Sequence, residues 1–277
     1  MTIRGATRLA VLGSPISHSR SPGLHLAAYT QLGLDWEYSA IEVAEAKLPD
    51  FFASLDAGWR GLSLTMPLKR AVLPLLTQTD ELVERTGVAN TVLFDGGVRG
   101  FNTDVYGVTE AFRVGGVHAL ERVHVLGGGA TATSVLVAAA ELGAKTVTFA
   151  MRDPLKGGAL RSLGEQLGVA VEVHSLASTD VGVPDAVVST LPGHSAHEIE
   201  FAEATRAGSV LFDVAYDPWP SALAASWLEV GGRVISGLEM LTLQALAQVR
   251  VFVGGSPDAV LDDEPGVLAA MRRAVAS

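Results

Sequence analysis

The chain has 277 residues, 48% of them hydrophobic and 18% charged, which gives enough apolar material for a sizeable core and enough length for two domains. Its formal net charge of −10 argues against nucleic acid or an acidic membrane as a partner, and the absence of cysteine excludes disulfides, thiolate catalysis and Cys-ligated zinc. Apolar runs are broken well short of a membrane span and Met1-Thr2-Ile3-Arg4 lacks the apolar core of a signal peptide, so no membrane association and a cytoplasmic location are expected.

A short apolar strand over residues 9–12 runs into Gly13-Ser14-Pro15-Ile16-Ser17-His18-Ser19-Arg20-Ser21-Pro22. Ser21 suits an N-cap, and Pro22 suits the first position of a helix that stops at Gly33. A strand at 36–43, a helix at 44–55, a strand at 61–65 and a helix from Pro67 follow in alternation, which implies a mostly parallel, covered sheet. Residues 88–94 and 98–101 flank Asp95-Gly96-Gly97, a hairpin signal at the sheet edge. Further β-rich runs begin at Val123, Thr146, Val171, Ala186, Val210 and Val234, and helices at 238–252 and 265–276 are expected to pack back on the first domain.

The middle of the chain carries a strand at 123–126, the turn Gly127-x-Gly129-x-x-Ala132 and a helix over 131–142, in the order a dinucleotide site requires. Gly127 permits a tight turn, Gly129 lets the backbone approach a pyrophosphate, and Ala132 lets the helix pack on the sheet. The helix N-terminus then aims free N–H groups and a partial positive charge at the phosphate. The expected fold is α/β in two domains. An N-terminal α/β substrate domain spans 1–104, with a mostly parallel sheet and completion by 239–277, and a Rossmann-like dinucleotide domain spans 105–238. The cleft between them is the expected active site.

Three polar clusters follow carboxyl ends of strands. Ser19 and Ser21 present hydroxyls to an anionic or polyhydroxylated ligand at a helix start, although ordinary capping would use Ser21 alone. Lys69, in Ser63-Leu64-Thr65-Met66-Pro67-Leu68-Lys69, falls in a first helical turn, where the dipole disfavours an ammonium and favours proton transfer; a solvated surface lysine is the alternative. The pairs Asn90-Thr91 and Asn102-Thr103 read as turn chemistry or as a site, and Asp104, at a strand end, is placed to hold Lys69. His25, His194 and His197 read as structural or solvent-facing, and no spacing suggests a metal site.

Taken together and in order, Ser-His-Ser-Arg-Ser-Pro, Ser-Leu-Thr-Met-Pro-Leu-Lys, Ala-Asn-Thr, Asn-Thr-Asp, Gly-Gly-Gly-Ala-Thr-Ala and Gly237-Leu238-Glu239-Met240-Leu241 with Gln244-Ala245 resemble the shikimate dehydrogenase family over nearly the whole chain. The resemblance implies NADPH-dependent, reversible reduction of 3-dehydroshikimate to shikimate, with Lys69 and Asp104 as the catalytic pair. Ser19, Ser21, Thr65, Asn90, Gln244 and Tyr216 would contact substrate. Gly127, Gly128, Gly129, Ala130, Thr131, Arg152, Lys156, Val214 and Gly237 would hold NADP, with Gly237 leaving room for the nicotinamide. A monomer or homodimer is expected. Ser63 replaces the family's usual Asn and, being shorter, leaves a polar contact to water; Ala130 replaces a glycine. Met151-Arg152-Asp153 stands where the family has Asn-Arg-Thr. Arg152 and Lys156 favour a 2′-phosphate, while Asp153 keeps NAD in play. Competing readings are an NAD-linked quinate/shikimate dehydrogenase and a non-catalytic NADP-binding sensor.

Overall fold

The computed structural model describes residues 7–176, 181–192 and 199–276. Residues 7–104 with 241–276 form one compact unit, and Val105–Met240 form another.

The first unit begins with β1 (Thr7–Gly13), α1 (Ser21–Gln31), β2 (Trp36–Glu42), α2 (Leu48–Ala53), β3 (Trp59–Leu64) and α3 (Leu68–Ala71). It continues through β4 (Gln78–Thr79), α4 (Glu81–Thr86), β5 (Thr91–Phe94) and β6 (Val98–Phe101). The sheet order is β2-β1-β3-β5-β6-β4. β1 is parallel to β2 and β3, whereas β5 is antiparallel to both β3 and β6. Residues alternate between the two faces of a strand, so one face of β1 and β3 supplies Ala10, Leu12, Leu62 and Leu64 to a core completed by Val43, Leu48, Leu68 and Val92.

Four local expectations change. Ser21 is the first helical residue and Arg20 the N-cap, with no side-chain cap; the turn is instead held by Ser19 Oγ, which accepts from the Ser21 N–H at 3.3 Å. The stretch after Val43 is a 3-10 turn before α2, which starts at Leu48 with Pro49 in its first turn, where a missing N–H costs nothing. The helix after Pro67 is one turn long, because Pro74 forces a 3-10 turn at Leu73–Leu75. The β5–β6 hairpin lies one strand in from the edge, which the two-residue β4 occupies.

α5 (Asp104–Val114) leads into the second unit, which contains β7 (Arg122–Leu126), α6 (Ala130–Glu141), β8 (Thr146–Met151), α7 (Gly158–Leu167), β9 (Ala170–Ser175), β10 (Ala186–Ser189), α8 (Glu203–Gly208), β11 (Val210–Asp213), α9 (Ala222–Glu229) and β12 (Val234–Ser236). These strands form a wholly parallel sheet in the order β12-β11-β10-β7-β8-β9. The chain steps outward from β7 to β9, then returns to β10 and steps the other way. The reversal between β7 and β10 is where open α/β sheets take their ligands. Strands buried on both faces are mostly apolar, as Val123, Val125, Val147, Phe149, Val187, Val188, Leu211 and Phe212 show; His124 on β7 is a buried exception.

α10 (Gly237–Gly254) begins in the second unit and returns the chain to the first, where α11 (Glu264–Val275) packs on α1. Arg250 on α10 grips Glu264 with Nε and one Nη, at 2.8 and 2.5 Å, and donates its other Nη to the Pro257 carbonyl. These Arg250 hydrogen bonds hold the Glu264 carboxyl below its usual range. Among the described residues no helix is long and apolar enough to cross a membrane.

Candidate active site

The topology of the first sheet gathers its polar clusters at one end. β1, β3 and β6 finish where β5 starts: Val11 pairs with Ser63, Ser63 with Thr91, and Thr91 with Phe101. Residues just beyond that row therefore converge, and they include Thr65, Asn90 and Asn102-Thr103-Asp104. The loops are stitched together by Ser14 N–H to Met66 O at 3.0 Å and Thr65 N–H to Leu12 O at 2.9 Å.

Lys69 Nζ lies 2.5 Å from Asp104 Oδ2, with 14% of the lysine side chain and 3% of the aspartate exposed. A charge pair this dry must be fully hydrogen-bonded to persist. Asp104 Oδ1 accepts from Asn90 Nδ2 at 2.8 Å, and the Lys69 carbonyl accepts from the Ala89 N–H at 2.9 Å. Asp104 opens α5 rather than ending a strand. Asn102 Oδ1 accepts its N–H at 3.2 Å, so Asn102 does the turn chemistry while Asn90 enters the cluster. α3 is a single turn, and the side-chain partner of Lys69 is Asp104.

Asn90, 1% exposed, is the hub. Nδ2 also donates to Thr103 Oγ1 at 2.9 Å and to Gln244 Oε1 at 3.2 Å, and Oδ1 accepts from the Thr103 N–H at 2.9 Å and Thr91 Oγ1 at 2.8 Å. Gln244 Nε2 donates back to Leu241 O at 2.8 Å. Lys69, Asp104, Asn90 and Gln244 are thus in one bonded cluster, while Ser19 stands on the loop between β1 and α1 and Ser21 is the first residue of α1.

Behind the hub is a buried polar chain the sequence reading missed. Gln248 Nε2 donates to the Asn90 carbonyl at 3.2 Å, and its Oε1 accepts from Ser63 Oγ at 2.8 Å and from His25 Nε2 at 3.1 Å. Tyr38 Oη donates to Ser63 Oγ at 2.7 Å and stacks on the His25 ring at 4.0 Å between centroids. Ser63 therefore has protein partners and needs no water. Burial lowers the His25 pKa to about 3, against a smaller upward pull from Gln248, and the ring is neutral. The signal available in the sequence was Gln248 itself, one helical turn beyond Gln244 and on the same face.

In the second unit, Gly127 has φ +106°, a conformation side-chain-bearing residues avoid, and turns the end of β7 into α6. Gly129 is the N-cap with no side chain capping the helix, and space is open where its Cβ would stand. Ala130, the first residue of α6, has negative φ, so the glycine the family uses there is not needed. Gly128 abuts Met151, and Thr131 is in the first turn of α6. These free N–H groups suit the pyrophosphate of a dinucleotide. The Gly127 N–H bonds to Ala150 O at 2.8 Å, which brings the end of β8 and the exposed Arg152 beside the turn. Asp153 is turned to capping: it accepts from the Leu155 N–H at 3.2 Å and lies 3.7 Å from Lys156 Nζ. Arg152 has no such acidic partner among the described residues.

Gly237 is needed by the backbone itself. A Cβ there would collide with the carbonyl of Val214, so the glycine serves a backbone approach between α10 and the loop after β11. Tyr216 is half-buried on that same loop, in the second unit. Asp213 anchors the loop's base by accepting from Ser221 Oγ at 2.5 Å and the Ala215 N–H at 3.1 Å. His194 and His197 lie outside the described residues. Among the described residues no grouping of His, Asp and Glu suits a metal ion.

A family model described as the shikimate dehydrogenase substrate binding domain matches residues 11–92. The NADP(+)-type shikimate dehydrogenase of Methanothrix thermoacetophila is 35% identical over 271 residues, covering 96% of each chain. Among solved structures, Mycobacterium tuberculosis shikimate dehydrogenase superposes with a TM-score of 0.85 at 39% identity, over 96% of this chain and 99% of that one. The Thermus thermophilus enzyme, in complex with NADP(H) and shikimate, gives a TM-score of 0.77 at 31% identity, over 97% and 99%. With the mixed sheet carrying a lysine–aspartate pair and the parallel sheet carrying a glycine turn, the chain belongs to the shikimate dehydrogenase family.

Proposed function

We propose that the chain catalyses the reversible, NADPH-dependent reduction of 3-dehydroshikimate to shikimate, as in aromatic amino acid biosynthesis. The substrate is assigned to the unit holding Lys69, and NADP to the Val105–Met240 unit. The observation that carries the reading is the nearly dry Lys69–Asp104 pair, its carboxylate locked from behind by Asn90.

When bound, NADPH supplies the hydride. Lys69 stands at the ketone oxygen and gives a proton to the developing alkoxide; in oxidation it takes that proton from the ring hydroxyl. Asp104 fixes the amine and balances its charge, and Asn90 fixes Asp104. Ser19, Ser21 and Thr65, at the convergent end of the sheet, together with Gln244, hold the substrate's hydroxyls and carboxylate. The glycine turn and the uncapped α6 N-terminus hold the pyrophosphate, with Val214 and Gly237 bounding the far side of the sheet. Arg152, whose planar guanidinium suits a phosphate, would hold the 2′-phosphate, with Lys156 adding positive charge nearby. Asp153 is occupied by its own turn and by Lys156, which removes the motive for an NAD preference. The same reading takes the enzyme as cytoplasmic and as a monomer or homodimer, a state light scattering after size exclusion resolves.

The experiment follows reduced-nicotinamide absorbance with shikimate or quinate and with NADP or NAD. Turnover is expected to be fastest with shikimate and NADP. A better rate with quinate and NAD, or binding of NADP without turnover of either acid, would overturn the proposal.

A further inference from the structure

Gln248, itself assigned to neither substrate nor cofactor, reaches the catalytic cluster through the backbone carbonyl of Asn90. Its amide is oriented by its neighbours. Oε1 takes two donors, Ser63 Oγ and His25 Nε2, so Nε2 is the atom that meets the Asn90 carbonyl. The two donors are themselves fixed. Ser63 accepts from Tyr38, which leaves its own proton for Gln248. Neutral His25 carries its proton on Nε2, because Gln248 Oε1 can only accept, and Nδ1 then accepts from Tyr29 Oη at 3.2 Å. Five side chains, from α1, β2, β3 and α10, thus agree on one arrangement with no free choice of rotamer or tautomer.

The point they act upon is the short segment 89–90. Its Ala89 N–H holds the Lys69 backbone, and its Asn90 amide holds Asp104 Oδ1 and Gln244 Oε1. Gln244 and Gln248 are one turn apart on α10 and meet Asn90 from its side-chain end and its backbone end. Moving the Asn90 carbonyl would rotate the amide on which the lysine–aspartate geometry depends. A misplacement of about 1 Å at such a distance from the chemistry is enough to cost about 10²-fold in rate.

We propose that Gln248, oriented by His25 and Ser63, is a positioning residue that sets Asn90 and through it the Lys69–Asp104 pair. The inference rests on the proposed reading of that pair as the acid–base centre.

The test compares wild type with Gln248→Met, which keeps the length and loses the hydrogen bonds. A companion His25→Phe/Ser63→Ala protein keeps a ring on Tyr38 but releases the Gln248 amide. Two readouts are taken. One is the labelling rate of Lys69 by trinitrobenzenesulfonate at one fixed pH, read by peptide mass spectrometry, which needs no turnover. The other is kcat and KM with shikimate and NADP. In Gln248→Met the Lys69 labelling rate is expected to change severalfold and kcat to fall about tenfold, with KM for NADP within about twofold of wild type. The companion protein should change in the same direction, and it decides the matter if Gln248→Met does not fold. Unaltered Lys69 labelling in a folded variant, with only the melting temperature lowered, would overturn the inference by reducing Gln248 to a structural residue. A wild type that labels normally at Lys69 yet turns over neither acid counts against the acid–base reading instead.

Discussion

At the scale of single residues, Lys69→Ala is expected to lower kcat by about 10²–10⁴-fold with a much smaller rise in KM for shikimate, because general acid–base help acts only in the transition state. Steady-state kinetics in the oxidative direction measure it, and a near-normal kcat would remove Lys69 from the chemistry. Arg152→Ala should weaken NADP about ten- to a hundred-fold and leave NAD use nearly unchanged, since a charge-assisted contact is worth about 1.5–3 kcal/mol. Comparison of kcat/KM with the two cofactors decides this, and equal losses would show that Arg152 does not read the phosphate. His124 offers a third case. It lies on β7, 1% exposed, and neither ring nitrogen has a partner among the described residues, although it borders a cavity of about 330 Å³. Unpaired buried polar atoms cost stability, so His124→Phe, with room beside it and Phe201 to pack on, should raise the melting temperature.

At the scale of elements, what could be read in advance was whatever the local chain decides alone. The turn Gly127–Gly129 announces its strand and helix because no other residue type fits φ +106° so cheaply. The hairpin at Asp95-Gly96-Gly97 was equally legible. α3 was not: Leu68 to Leu73 continues a helical pattern, and only Pro74 and the tertiary pull of Ala89 on the Lys69 carbonyl end it after one turn. The Lys69–Asp104 contact could be named from motif order, but the bonds through Asn90 and Gln248 join residues more than 150 positions apart, a distance no periodicity reports. The junction of the β1–α1 loop with α1 carries its own test. Replacing Ser19 and Ser21 together by alanine should weaken shikimate binding by about tenfold or more while leaving NADP affinity unchanged in calorimetry. Equal losses would mean that the pair supports α1 rather than substrate.

At the scale of the whole molecule, two histidines make stability depend on pH. Burial holds His25 at a pKa of about 3 and His124 at about 4, both below the ordinary 6.5. An unfolded chain protonates them near 6.5 and the folded one does not, so their contribution is complete above that pH and is lost as pH falls towards 4 and then 3. Urea midpoints at pH 7.5 and 5 should therefore drop on acidification, and His124→Phe should flatten the slope; a slope unchanged by that substitution would assign the acid sensitivity to His25 and to paired carboxylates such as Glu264. The division of the chain bears on how the protein is made. The parallel-sheet unit is one uninterrupted stretch, Val105–Met240, whereas the unit with Lys69 lacks Gln244, Gln248 and α11 until residues 241–276 exist. During synthesis the later-encoded stretch thus has every part it needs while the earlier one still waits. Nascent chains stalled with residue 240 just clear of the ribosome should resist protease in the middle of the sequence and be cut near its beginning, an inversion of the usual first-made, first-folded order.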